Sequence, residues 1–124
     1  MVDTEFDFQR NRTLRQRKEE STRIMREHPD RLPIVAERYK RLSRYNIDIP
    51  DLDKTKFLIP YDLNIGQLIY VIRKRIKLSP EKGMFVFING NLPATSELIS
   101  NVYNEHKNED GFLYVHYTGE NVFG

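Results

Sequence analysis

The residues able to do chemistry in this 124-residue chain are few and scattered. There are three histidines, His28, His106 and His116, and no cysteine. The histidines fall at a predicted helix end, on a helix and in a strand, without the close spacing that a metal site needs. The missing thiol excludes disulfides, thiolate zinc sites and a cysteine nucleophile. No glycine-rich phosphate loop is present, and the carboxylates recur in no pattern with a nucleophile. His116 alternates with Val115 and Tyr117 and reads as a surface strand residue. The sequence closes on a short polar tail, "GENVFG", and a terminal glycine by itself assigns no chemistry. A compact domain would be needed to present such a tail.

Charge is modest but uneven. Residues 1–45 hold 12 Lys/Arg and 8 Asp/Glu, a balance of +4, whereas residues 46–124 hold 8 and 10, a balance of −2, which together give the +2 of the whole chain. A basic N-terminal part suits an acidic partner such as a membrane surface, an acidic protein tail or nucleic acid. It equally suits a solvated helix face, because "RQRKEES" mixes both signs. The nucleic-acid reading is weak. The basic runs "RNRTLRQRK" and "IRKRIK" supply phosphate attraction, yet no aromatic residues interleave with them as a stacking platform requires. No apolar run approaches the roughly 18 residues of a membrane span, and the acidic N-terminus is unlike a secretory signal. The absence of cysteine fits a cytosolic or nuclear home.

The elements follow from periodicity and caps. Residues 1–12 suit either a short helix around Phe6 and Phe8 or a mobile arm. Thr13 with Gln16 forms a capping box for a helix ended by Pro29, with Leu14, Ser21, Ile24, Met25 and His28 on one narrow stripe. Residues 32–39 read as a strand with Pro33 at its start or on an edge. Residues 41–53 are a polar connection, and 56–60 a second short strand. Asn64 and Gln67 cap the clearest helix, which lines up Ile65, Leu68, Ile69, Ile72 and Ile76; each is worth about 1.5–3 kcal/mol when buried, so this face must lie on a sheet. The nearly continuous apolar run 83–88 predicts a central strand covered on both faces. "NGN" at 89–91 is a turn. Thr95 or Ser96 caps a helix that turns Leu98, Ile99, Val102 and Tyr103 inward, and Asp110-Gly111 turns the chain into strand 112–117. Two α+β architectures compete: a β-grasp whose first two strands form a hairpin, and a ferredoxin-like plait. The plait needs a helix between its first strands, and 41–53 lacks an apolar helical stripe, which favours the β-grasp.

The stretch from "KFLIPYDLN" to the terminal "FG", above all "YVIRKRI" and "HKNEDGFLYV", resembles the ubiquitin-like modifiers of autophagy, the autophagy-related protein 8 type with its GABA-receptor-associated and light-chain-three relatives. "EESTRIMREHPDRLPIVAE" carries the likeness upstream, so it spans nearly the whole chain. The connection 40–53 is a few residues longer than the family pattern. The resemblance implies a ubiquitin-like β-grasp with two extra N-terminal helices, divided as an N-terminal helical extension 1–28, a core 29–117 and a conjugation tail 118–124. It implies no cofactor and no catalysis by the domain itself. Gly124 would be adenylated, passed as a thioester along activating and conjugating enzymes, and joined to phosphatidylethanolamine; a cysteine protease would process and deconjugate it. The protein would be cytoplasmic, and on the autophagosome membrane when lipidated. Cargo receptors with aromatic-x-x-aliphatic motifs would add a strand to residues 56–60. Their aromatic side chain would meet Glu20, Ile24, Pro33, Val35, Lys56, Leu58 and Phe112. Their aliphatic one would meet Phe57, Ile59, Pro60, Leu63, Leu68 and Val71. Arg31, Lys54, Lys56 and Arg75 would attract acidic flanks. Leu68 and Val71 also read simply as core residues of their helix. The alternative function is a non-conjugated β-grasp module that binds acidic partners.

Overall fold

The computed structural model describes residues 6–40 and 49–119. Along the chain run α1 (Asp7–Arg10), α2 (Leu14–Glu27), β1 (Arg31–Arg38), β2 (Lys56–Pro60), α3 (Ile65–Arg75), β3 (Phe85–Phe87), α4 (Ile99–His106) and β4 (Leu113–Thr118). The four strands form one sheet in the order β2-β1-β4-β3. β1 and β4 are parallel at its centre, and each carries an antiparallel partner outside. This is the β-grasp arrangement, with the β1–β2 hairpin expected from the polar connection. Pro33 is tolerated inside β1 because the ladder to β4 begins only at Ile34, so its missing N–H costs no pairing there.

Strict alternation divides the side chains between two layers. Leu32, Ile34, Ala36, Phe57, Ile59, Leu113, Val115 and Tyr117 enter the main core with Ile65, Leu68 and Ile72 of α3. Val35, Phe112 and Tyr114 face the other way and pack with Phe6, Phe8 and Ile24. The capping box of α3 is complete: Asn64 Oδ1 accepts from the Gln67 N–H at 2.8 Å, and Gln67 Oε1 accepts from the Asn64 N–H at 2.9 Å. Thr13 and Gln16 start α2 in the same way, at 3.1 and 2.8 Å.

Four expectations are corrected. The strand at 85–87 is an edge strand, not a central one; its run is apolar because Val86 and Ile88 face the core of α3 while Phe87 lies edge-on to Tyr39, centroids 5.0 Å apart. Neither Thr95 nor Ser96 caps α4, whose N-cap is Leu98, and Leu98 is exposed. The carbonyls of Thr95 and Glu97 instead accept from the first N–H groups of α3, Gly66 and Ile65, each at 2.9 Å, so this segment serves the neighbouring helix. On α2 only Ser21 and Ile24 are buried; Met25 and His28 are exposed. Thr118, expected to begin the tail, is the last residue of β4 and fully buried.

With so few apolar contacts, α2 is fastened by a polar knot. The fully buried carboxylate of Asp110 accepts from Arg17 Nη1 and from the Tyr114 hydroxyl, both at 2.5 Å, and from the Phe112 N–H at 2.8 Å. Ser21 Oγ donates to the Asp110 carbonyl at 2.6 Å. Gly111, at φ +90°, completes the fit: a Cβ there would lie 2.3 Å from Ser21 Oγ.

Three buried phenols resist ionisation. Burial raises Tyr103, Tyr114 and Tyr117 above the ordinary value of 10.0, aided by Asp110 beside the first two and Asp51 beside the third. The unfolded chain would lose these protons near the ordinary value, so the folded state holds more protons above it. Their stabilising effect is complete below about pH 10 and is lost as pH rises from there through the folded values. The urea midpoint should therefore fall between about pH 9 and 11. In Tyr117→Phe, which loses a 2.8 Å bond to the Pro50 carbonyl worth about 1 kcal/mol at neutral pH, that alkaline fall should be shallower. An equal fall in both proteins would contradict the assignment.

Candidate functional site: the open edge of the first hairpin

β2 is the outer strand of its hairpin, and no described residue pairs with its far side. The register determines which backbone groups are available there. The pairs Ile34–Phe57 and Leu32–Ile59 fall in step with the Ala36 N–H bond to the Thr55 carbonyl at 2.9 Å. Residues 55, 57 and 59 therefore bond inward to β1, and Lys56 and Leu58 turn their backbone groups to the open edge. Arg31 Nη1 covers one of these groups, the Leu58 carbonyl, at 3.3 Å.

The same alternation sorts the candidate side chains. Lys56 and Leu58 lie on the face toward α2. There Leu58 packs against the cluster of Phe6, Phe8, Ile24, Val35, Phe112 and Tyr114, with Pro33 opposite Leu58 across the hairpin. Lys56 pairs with Glu20 of α2, and Arg12 approaches the same carboxylate at 3.8 Å. Glu20, Ile24, Pro33, Val35, Lys56, Leu58 and Phe112 are thus gathered at one α2–β2 boundary. Phe112 and Val35 are fully buried at its floor, while Leu58 and Lys56 are half-buried at its rim.

The other set is split by depth. Phe57 and Ile59 are buried beneath α3, and Leu68 is a buried core residue of α3 itself. Pro60, Leu63 and Val71 are half-buried and lie nearer the surface. A shallow groove of about 580 Å³ runs beside Val71, between Asp53, Tyr70, Lys74, Arg75 and Lys77. The candidate cations already have partners. Arg75 forms a two-pronged pair with Asp53 at 2.7 and 3.1 Å, and this hydrogen-bonded pairing holds the Asp53 carboxyl below its ordinary range. Lys54 sits over the Phe57 ring at 4.8 Å, and Arg31 lies 3.9 Å from Asp30.

Sequence reasoning missed several members. Phe6, Phe8 and Tyr114 complete the α2-side cluster; a pair of aromatics in an acidic arm was the available signal. Glu37 brings the first two in, its carboxylate accepting from the Asp7 and Phe8 N–H groups at 2.9 and 3.0 Å. Nothing in the sequence singles out Asp53 as the partner of Arg75. His116 is also no simple surface residue, for its ring stacks on Phe6 with centroids 3.9 Å apart. Among the described residues no group of three or more His, Cys, Asp or Glu could hold a metal ion, and no described helix is long and apolar enough to cross a membrane. Gly124 and most of the longer connection, residues 41–48, lie outside the described residues.

The family model described as "Autophagy protein Atg8 ubiquitin like" matches residues 16–124. Autophagy-related protein 8 of Mycosarcoma maydis is 52% identical over 117 residues, covering 94% of this chain and 95% of its own. Autophagy-related protein 8d of Arabidopsis thaliana is 49% identical, covering 94% and 93%. Among solved structures, Trypanosoma brucei ATG8 superposes with a TM-score of 0.86 at 39% identity, over 98% of this chain and 100% of that one. A hairpin edge flanked by α2 on one face and α3 on the other, on a sheet of this order and with these relatives, means that the chain belongs to the Atg8 family of ubiquitin-like proteins.

Proposed function

We propose that this protein is a ubiquitin-like modifier of autophagy, joined through Gly124 to the amine of phosphatidylethanolamine, and that it docks aromatic-x-x-aliphatic peptides along β2. The observation that carries the docking half is the open edge of β2 with an apolar cluster on each face. An extended peptide pairing with Lys56 and Leu58 would send alternate side chains toward the α2 side and toward Val71 and Leu63. Acidic residues flanking the motif would exchange with Glu20 on Lys56 and with Asp53 on Arg75.

Family membership supports the conjugation half. The Gly124 carboxylate would form an acyl-adenylate, then a thioester with a cysteine of an activating and next a conjugating enzyme. Attack by the lipid amine would expel the thiolate and form an amide. The chain has no cysteine, so each thiol must come from a partner, as must that of the protease that reverses the bond. The molecule would reside in the cytoplasm and, once lipidated, on the autophagosome membrane. The division we propose is an extension 1–28, a core 29–118, in which β4 keeps Thr118 buried, and a tail 119–124.

Deleting Gly124 should abolish the lipidated, faster-migrating gel species in cells while leaving the melting temperature within a degree or so, since loss of one terminal residue outside a domain's core seldom affects its stability. Lipidation that persists in the deletion would remove Gly124 as the attachment point, and a wild type that gives no lipidated species would leave the non-conjugated module as the correct reading.

Peptide docking separates into two terms. Leu58→Ala should weaken an aromatic-x-x-aliphatic peptide by about 1–3 kcal/mol at any ionic strength, through lost apolar contact. Lys56→Ala should cost about 1 kcal/mol or less at low salt, and less still at high salt, because a rim charge is screened. Titration of one peptide under both conditions distinguishes the two. Unchanged affinity in both variants would remove β2 as the docking edge.

A further inference from the structure

Arg15, Lys18, Glu19, Thr22, Arg23 and Arg26 are all exposed and share the side of α2 turned away from the sheet, as spacings of three and four residues dictate. Four cations against the single carboxylate of Glu19 leave this ridge with three positive charges. Cations elsewhere are mostly engaged: Lys56 with Glu20, Arg38 with Asp51, Arg75 with Asp53, and Arg73 with the Ser79 and Lys82 carbonyls. On the ridge only Arg15 has a partner, Glu19 at 3.7 Å. Among the described residues Lys18, Arg23 and Arg26 form neither an ion pair nor a side-chain hydrogen bond. An exposed helix face gains little from cations left unpaired and mutually repelling, so their grouping calls for an external anion.

The shape of the ridge limits what that anion is. From Lys18 to Arg26 it spans about 12 Å of helix. The trough between Lys18, Glu19, Thr22, Arg23 and Arg26 is shallow, about 400 Å³. The apolar side of the helix is spent on the sheet through Ile24, so no apolar seat remains for a peptide side chain. A helix also has no free backbone edge with which to pair an extended strand. A ridge of separate, mobile cations with neither pocket nor edge fits a broad anionic plane better than a sequence-defined chain. We propose that the outer face of α2 adsorbs this protein onto membranes containing anionic phospholipid, through headgroups of the phosphatidylserine type. The contact is independent of Gly124, and with a lipid on that residue it would supply a second attachment.

The unconjugated full chain tests the proposal apart from lipidation. Cosedimentation would use vesicles of phosphatidylcholine alone and vesicles containing phosphatidylserine, at low and at physiological salt. The wild type should partition onto the anionic vesicles alone, more weakly as salt rises. Lys18→Gln, Arg23→Gln and Arg26→Gln combined should lower the partition coefficient on the order of 100-fold, from three charges at the value typical of a membrane surface. Lys74→Gln, Arg75→Gln and Lys77→Gln combined remove the same charge from α3 and should leave it within about threefold. Glutamine preserves helix propensity; should the triple variant still melt early, Lys18→Gln and Arg26→Gln singly should each cost about fivefold. Equal losses in the two triple variants, wild-type partition in the α2 variant, or no preference for phosphatidylserine would overturn the proposal. So would wild-type binding to a polyglutamate peptide without binding to the vesicles, which would assign the ridge to a protein partner.

Discussion

Everything in this molecule hangs on the parallel pairing of β1 with β4 at the centre of the sheet. Two adjacent strands with both faces apolar cannot be left to water on either side. One face is closed by α3 and α4 through the main core, and the other by α1 and α2 through a smaller aromatic cluster. The outer strands then fall at the two edges, and at β2 both apolar layers come close to the surface. The candidate docking site is therefore a consequence of how the centre is buried.

The two layers are held differently. Beneath α3 the packing is dense and aliphatic, with Ile65, Leu68 and Ile72 fully buried. Beneath α2 little apolar surface is available, and the Asp110 carboxylate replaces it with bonds to Arg17, Tyr114 and the Phe112 backbone. Removing one member of such a buried pair leaves a charge uncompensated and typically costs about 3–5 kcal/mol. Glu20 and Ile24, which contribute to the α2 side of the groove, are carried on the helix that this knot positions. The geometry of that side thus depends on electrostatics and that of the other on volume.

Electrostatics at the rim work on a smaller scale. Lys56 with Glu20 and Arg75 with Asp53 are partly or largely exposed pairs, of a kind that solvent and salt screen strongly. Such pairs keep the cations oriented near the edge yet yield readily to an incoming carboxylate. The outer face of α2 differs because, among the described residues, Lys18, Arg23 and Arg26 have no internal carboxylates to release.

Local chemistry written in the chain settled the elements. Thr13 with Gln16 and Asn64 with Gln67 placed two helix starts, the isoleucine period oriented α3, and the Asn89-Gly90 pair placed a turn whose two residues have positive φ. The likeness of "YVIRKRI" and "HKNEDGFLYV" indicated the family. Sequence patterns failed wherever a partner came from far along the chain. The run at 85–87 looks central by composition, but strand order depends on which ladders form. Thr95 resembles a cap, yet its carbonyl serves α3. No local pattern connects Arg17 to Asp110, 93 residues away, or Phe6 to His116. At the site, alternation alone separated Lys56 and Leu58 from Phe57 and Ile59. Only the tertiary structure decided that Phe57 and Ile59 lie under α3, because the depth of a side chain is set by what packs above it and not by its own type.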